Sequence, residues 1–176
     1  MPRWRGVGCS EAVGRIQRLR MGILFVCLGN ICRSPTAEGV FRHILVEEAP
    51  QLRLEVDSAG TGDYHVGRPP DPRSQRAAAR RGIDLSGLRA RQVTALDFLR
   101  FDLILAMDRG NRAALEVLQP AASRARIGLF LEYVEGLEDL DIPDPYWGDA
   151  EDFEHVLDLT TLASRALLAD LRRRSS

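Results

Sequence analysis

The spacing of hydrophobic and polar positions along this chain changes several times, and each change marks an element. Ile23, Leu24, Phe25 and Val26 form an unbroken apolar run. Bounded by turn residues, such a run predicts a strand buried on both faces of a parallel sheet, here ending at Cys27. A short polar loop with Gly29 and Asn30 follows. The spacing then becomes helical, with Ala37, Val40, Phe41, Ile44 and Leu45 on one face. Ser34 is the expected N-cap of that helix and Pro35 its first helical residue, where a missing N–H costs nothing.

The alternation continues downstream. Leu52, Leu54 and Val56 interleave with Arg53, Glu55 and Asp57, the period of a strand with one exposed face. It runs into Ser58-Ala59-Gly60-Thr61-Gly62, followed by a loop over 62–72 that carries Tyr64 and His65. Asp71-Pro72 should open a second helix that stops near Gly82. Residues 83–98 read as irregular, with one turn around Thr94 to Phe98. Phe101 to Met107 predicts a third strand, with Asp108 capping a helix through Leu118, and Arg126 to Phe130 a fourth strand. An acidic loop over 132–152 leads to a terminal helix expected to turn Phe153, Val156, Leu157, Leu162, Ala163, Ala166 and Leu167 inward. Strands alternating with helices imply a parallel α/β sheet with helices on both faces.

Composition narrows the classes. With 176 residues, 45% of them hydrophobic, the chain is expected to form one domain with a sizeable core. A net charge of −1 gives no field to draw it to nucleic acid or to a membrane surface. No apolar run approaches the roughly 18 residues of a membrane span. Three cysteines in so long a chain make no disulfide framework and suit a reducing, cytoplasmic setting. Residues 1–20 hold five arginines against one glutamate and read as a disordered extension, so the domain is expected over 21–176.

The chemistry gathers in the first loop. A thiol at a strand end, a Gly/Asn turn and a helix start make a cradle of backbone N–H groups, to which the helix dipole adds positive charge. Arg33 supplies a planar fork matched to two phosphate oxygens. The same field favours Cys27 as a thiolate, and Ser34 is placed to donate a hydrogen bond to it. A thiolate at the floor of a phosphate cradle is set to attack phosphorus. Spacing alone is weak support, because all 24 Lys+Arg residues are arginine and Cys9 with Arg15 repeats the spacing. Cys9, however, follows no strand, and Ile16 stands where a capping Ser would be. Context singles out Cys27.

CLGNICRSP resembles the phosphate loop of the low molecular weight protein tyrosine phosphatases. DSAGT at 57–61, VGRPPDPR at 66–73, RQVT at 91–94, MD at 107–108 and DPYWGD at 144–149 match that family as well. The resemblance spans residues 21 to about 172. It implies a four-stranded, flavodoxin-like sheet and a metal-free, cofactor-free hydrolase of phosphotyrosine in proteins, with a cognate tyrosine kinase as a further partner. Three scattered histidines, which offer no metal-ligand cluster, agree with that.

Residue by residue, the resemblance makes Cys27 the nucleophile, Arg33 the phosphate ligand and Asp144, of the Asp-Pro-Tyr motif, the general acid and base. Asp141 is its nearest competitor in the acidic loop. Leu28, Gly29, Asn30, Ile31, Cys32 and Ser34 complete the phosphate loop. Tyr146 and Trp147 match the aromatic pair beside the family's cleft, with Tyr64 as the opposite wall. Asn30, which should adopt a left-handed conformation, matches a loop-bracing position together with Ser34 and Ser58. Cys32 matches a cysteine that traps an oxidised nucleophile as a disulfide. Leu88 departs from the pattern, standing where many relatives carry a histidine that braces Asn30, and the missing link would loosen the loop or shift its pH profile.

Four rival readings share parts of this pattern. Thioredoxin-coupled arsenate reductases relay electrons through further cysteines, and none follows Cys32 here. Sugar-transport phosphocarrier domains lack the Asp-Pro-Tyr acid. Protein arginine phosphatases tend to carry threonine where Ile31 stands. A non-catalytic phosphotyrosine-binding module would be expected to lose Cys27, Arg33 or Asp144, and all three are present.

Overall fold

A computed structural model describes residues 21–175. The expectations for residues 1–20 and for the Cys9–Arg15 pair lie outside the described residues. Four strands, β1 (Met21–Cys27), β2 (Leu54–Gly60), β3 (Leu103–Ala106) and β4 (Arg126–Leu129), form one parallel sheet in the order β2-β1-β3-β4. β1 is central, and Ile23 to Val26 are fully buried, as an apolar run covered on both faces must be.

Helices cover both faces. Against Ile23 and Phe25 pack α1 (Arg33–Glu48), α2 (Pro72–Ala79) and the long α5 (Ala150–Ser175). Against Leu24 and Val26 pack the short α3 (Asp97–Arg100) and α4 (Arg109–Leu118). Among the described residues no helix is long and apolar enough to cross a membrane. The chain runs from β1 to β2 on one side and then crosses from β2 past β1 to β3 on the other. The carboxyl ends of β1 and β3 therefore flank the point where strand order reverses, the place where open α/β sheets bind ligands.

Caps and turns follow local chemistry. Asp71 accepts from the Arg73 N–H with Pro72 in the first turn, and α2 gives way to Gly82 at φ 75°. Asp108 accepts from the Asn111 N–H at the start of α4. Two expectations are corrected. Ser34 is not the N-cap of α1, since the helix begins at Arg33 and the Ser34 hydroxyl is turned to other partners. Leu162 is not inward but 48% exposed; Thr160, Ser164, Leu168 and Leu171 are buried in α5 instead. The third and fourth strands are also shorter than expected, because Phe101 precedes β3 and Phe130 opens a 3₁₀ turn (Phe130–Tyr133).

Candidate active site

β1 delivers Cys27 to the carboxyl edge of the sheet, and residues 28–32 turn back toward α1 without regular structure. The Cys27 sulfur is buried and receives the Asn30 N–H at 3.3 Å, while the Ser34 hydroxyl lies 3.0 Å away. Ser34 has one proton. Against a thiolate it donates to the sulfur; otherwise the Ala59 carbonyl, at 3.2 Å, can accept it. This is why Ser34 leaves the helix cap unmade.

Asn30 holds the turn. It is the one described non-glycine residue at positive φ, 53°, a conformation asparagine tolerates. Its Nδ2 donates to Ser34 Oγ at 2.9 Å and to Ser58 Oγ at 3.0 Å, and its Oδ1 accepts the Arg91 N–H at 2.9 Å. Ser58 donates onward to Glu38 Oε2 at 2.6 Å, and the Glu38 carboxylate pairs with Arg42 at 2.8 Å. Burial pushes the Glu38 carboxyl above its ordinary range, although Ser58 and Arg42 pull it back. Gly60, paired with Cys27 across the sheet, leaves room for the loop: a Cβ there would meet the Leu28 carbonyl oxygen at 2.7 Å.

Leu88 does not leave Asn30 short of a partner. It packs against the core, and the Arg91 N–H, held from the far side by Arg91's ion pairs to Asp57 and Asp97, satisfies the Asn30 oxygen. The looser loop expected from the missing histidine is not what this bonding gives.

Arg33 is 3% exposed and enters the site with its two edges used differently. Nη1 is tied to Asp108 at 2.5 Å and to the Ile142 carbonyl at 3.1 Å. Nη2 meets Asp144 Oδ2 at 2.7 Å, and Nε is buried with no partner among the described residues. Burial alone would lower the guanidinium, but Cys27, Asp144 and Asp108 outweigh it and raise it, so the charge is retained. An orphaned donor beside an exchangeable one is the fork of a bidentate oxyanion ligand.

A cleft of about 320 Å³ opens above, lined by the loop and Arg33 below, Asp144 on one side, and Tyr64, His65, Tyr146 and Trp147 around the rim. Tyr146 stands edge-on to Trp147 with ring centroids 4.9 Å apart, and His65 faces Tyr146 at 6.2 Å. Trp147 is 93% and Tyr64 74% exposed, so both border the mouth more than they pack. Asp141 lies elsewhere, bonded to Arg109. Cys32 is buried, and like Cys27 it is a free thiol. Burial, reinforced by Asp71, Cys27 and Asp144, pushes it up to about 12.

The structure thus brings Asp144 to the loop that carries Cys27 and Arg33 and sets Asn30, Ser34 and Ser58 in one hydrogen-bond chain. Sequence reasoning did not assign site roles to Glu38, His65, Arg73 and Arg91, or to Asp108 beyond its cap. Glu38 carried a signal: a carboxylate one helical turn after Ser34, on the face of α1 that is otherwise apolar.

A family model described as low molecular weight phosphotyrosine protein phosphatase matches residues 22–176. The chain is similar to the Bacillus subtilis low molecular weight protein-tyrosine-phosphatase YfkJ, 39% identical over 153 residues, covering 87% of this chain and 97% of that protein. The crystal structure of YfkJ superposes with a TM-score of 0.83, covering 89% and 98% of the two chains. The human low molecular weight phosphotyrosine protein phosphatase is 44% identical over 148 residues, 83% of this chain and 92% of that one. A Drosophila arginine phosphatase is 32% identical with a TM-score of 0.81, covering 86% and 98%. This chain belongs to the low molecular weight phosphotyrosine protein phosphatase family.

Proposed function

We propose that the protein hydrolyses phosphotyrosine in proteins through a phosphocysteine on Cys27. The observation that carries this reading is the split guanidinium of Arg33: one nitrogen anchored by Asp108, one orphaned, and one lent to Asp144. An incoming phosphate takes Nε and Nη2 together, and Asp144 is displaced. The displaced carboxyl then faces the leaving oxygen, the place from which a general acid delivers its proton.

The steps then balance. The Cys27 sulfur attacks phosphorus, the bond from phosphorus to the tyrosine oxygen breaks, and Asp144 gives that oxygen its proton. Arg33 and the loop amides of residues 28–33 hold the equatorial oxygens. Water next attacks the phosphocysteine, Asp144 takes a proton from it, and the sulfur leaves as a thiolate that Ser34 stabilises. No step calls on a metal or a cofactor. Tyr146, Trp147 and Tyr64 flank the aryl ring, where stacking adds about 0.5–1.5 kcal/mol. A tyrosine kinase acting on the same proteins and a reducing cytoplasmic compartment belong to this reading.

Phosphoarginine is the second reading, motivated by the likeness to the Drosophila arginine phosphatase. Ile31 on the cleft floor, apolar where such enzymes tend to have threonine, favours the flat aryl group. The test is hydrolysis of phosphotyrosine and phosphoarginine peptides with chelator present, alongside Cys27→Ser and Asp144→Asn. The expected result is turnover of phosphotyrosine, abolished by the first change and slowed by about 10²–10⁴ by the second. Preference for phosphoarginine would overturn the substrate; binding of phosphopeptide without any turnover would overturn the enzyme.

A further inference from the structure

We infer that Arg73 is a positioning residue for proton transfer: it fixes the loop that carries Asp144 once substrate has displaced Asp144 from Arg33. The inference rests on the reading of Asp144 as the acid. The stretch from 140 to 149 has no regular structure. Its first half is held by the Ile142 N–H on the Met107 carbonyl at 2.7 Å and by Arg33 on the Ile142 carbonyl. Asp144 itself is held by Arg33. That last bond is the one a bound phosphate takes away.

Beyond Asp144, Arg73 is the one described side chain that donates to the loop's carbonyls. Its Nη2 meets the Tyr146 carbonyl at 3.0 Å and its Nη1 the Gly148 carbonyl at 3.2 Å. The same guanidinium grips Asp71 through Nε at 3.0 Å and Nη2 at 2.9 Å. Asp71 in turn donates its N–H to the Ile31 carbonyl at 2.7 Å, which ties this assembly to the phosphate loop. The guanidinium carbon also lies 4.4 Å from the centroid of the Phe153 ring at the start of α5 and 5.9 Å from that of the Tyr146 ring. One flat cation therefore registers the acid loop, the phosphate loop and α5 against each other. A lysine cannot replace it, because a point charge lacks the planar fork that reaches two carbonyls and a carboxylate at once.

A purely structural role would slow every substrate alike, whereas a misplaced acid slows only reactions that need one. The test measures kcat/KM of the full chain on 2,4-dinitrophenyl, 4-nitrophenyl and phenyl phosphate for wild type, Arg73→Lys, Arg73→Gln and Asp144→Asn. Wild type should vary little with the leaving group. Both Arg73 variants should lose about 10–10²-fold on phenyl phosphate and keep dinitrophenyl phosphate within about threefold. Activity on the dinitrophenyl ester certifies in the same sample that the nucleophile and phosphate loop are intact. An equal loss on all three esters, no loss on any, or failure of both variants to fold would overturn the role. If Asp144→Asn is steep in leaving group and both Arg73 variants are flat, the Arg73 inference alone falls. If Asp144→Asn is itself flat, the acid assignment falls and takes this inference with it.

Discussion

Replacing Asn30 by alanine removes three hydrogen bonds and leaves a β-carbon in a left-handed turn. The bonds to Ser34, Ser58 and the Arg91 N–H are all made by a side chain only 2% exposed, so water does not replace them. At roughly 1 kcal/mol each they amount to about 3 kcal/mol. The β-carbon at the φ of 53° costs about 1–2 kcal/mol, which asparagine and alanine share and glycine escapes. Asn30→Gly deletes the same bonds without the steric cost. Urea unfolding, with all three proteins compared at a common slope, should therefore order them wild type, Gly, Ala, with Ala about 3 kcal/mol and Gly about 1–2 kcal/mol below wild type. Activity should fall about 10²-fold in both, because Ser34 is no longer aimed at the sulfur. Alanine within 1 kcal/mol of wild type, or glycine less stable than alanine, would refute the account of this turn.

The Glu38 carboxyl titrates above its ordinary value because it is buried, so its contribution to stability is fully present below the ordinary carboxylate range and is lost as pH rises through the raised value. Glu38→Gln, which keeps an acceptor for Ser58, should therefore gain in melting temperature relative to wild type between pH 4 and 7; a relative loss would contradict the burial argument. Cys32, pushed up to about 12 first by burial and then by Asp71, Cys27 and Asp144, should remain a neutral thiol at physiological pH. Iodoacetamide mapped by mass spectrometry at pH 7.5 should leave Cys32 unmodified until the protein is unfolded, and labelling in the folded state would refute this. The same shift makes stability decline above about pH 9, where the unfolded chain loses the Cys32 proton first.

The central strand, its thiol, the loop and α1 were legible in the sequence because the apolar run and the helical spacing are local signals. The same holds for the Asp71-Pro72 and Asp108 caps, which bond to N–H groups two and three residues away. The Ser34 role was not legible. A serine before a helix is a good cap by local rules, yet here its hydroxyl is taken by Asn30 Nδ2 and the Cys27 sulfur, contacts that only the closed loop creates. One position of the expected inward face of α5, Leu162, fails for a related reason. Thr160 satisfies its hydroxyl on the Leu157 carbonyl at 3.1 Å, so a polar residue can be buried while Leu162 is left exposed. Arg33 and Asp144 meet across 111 residues, and no periodicity predicts that; the family resemblance supplied it. Glu38 and Arg73 act through other residues, at positions where a charged side chain would ordinarily be a solvated one.

The claim that everything else depends on is that phosphorus is transferred to the Cys27 sulfur. Rapid acid quench of the enzyme during turnover of a phosphotyrosine peptide, followed by phosphorus NMR and peptide mapping, tests it directly. The account predicts a thiol-linked phosphate on the peptide containing Cys27, present in wild type, longer-lived in Asp144→Asn and absent in Cys27→Ser. Phosphate on another residue, or steady turnover by Cys27→Ser, would contradict it.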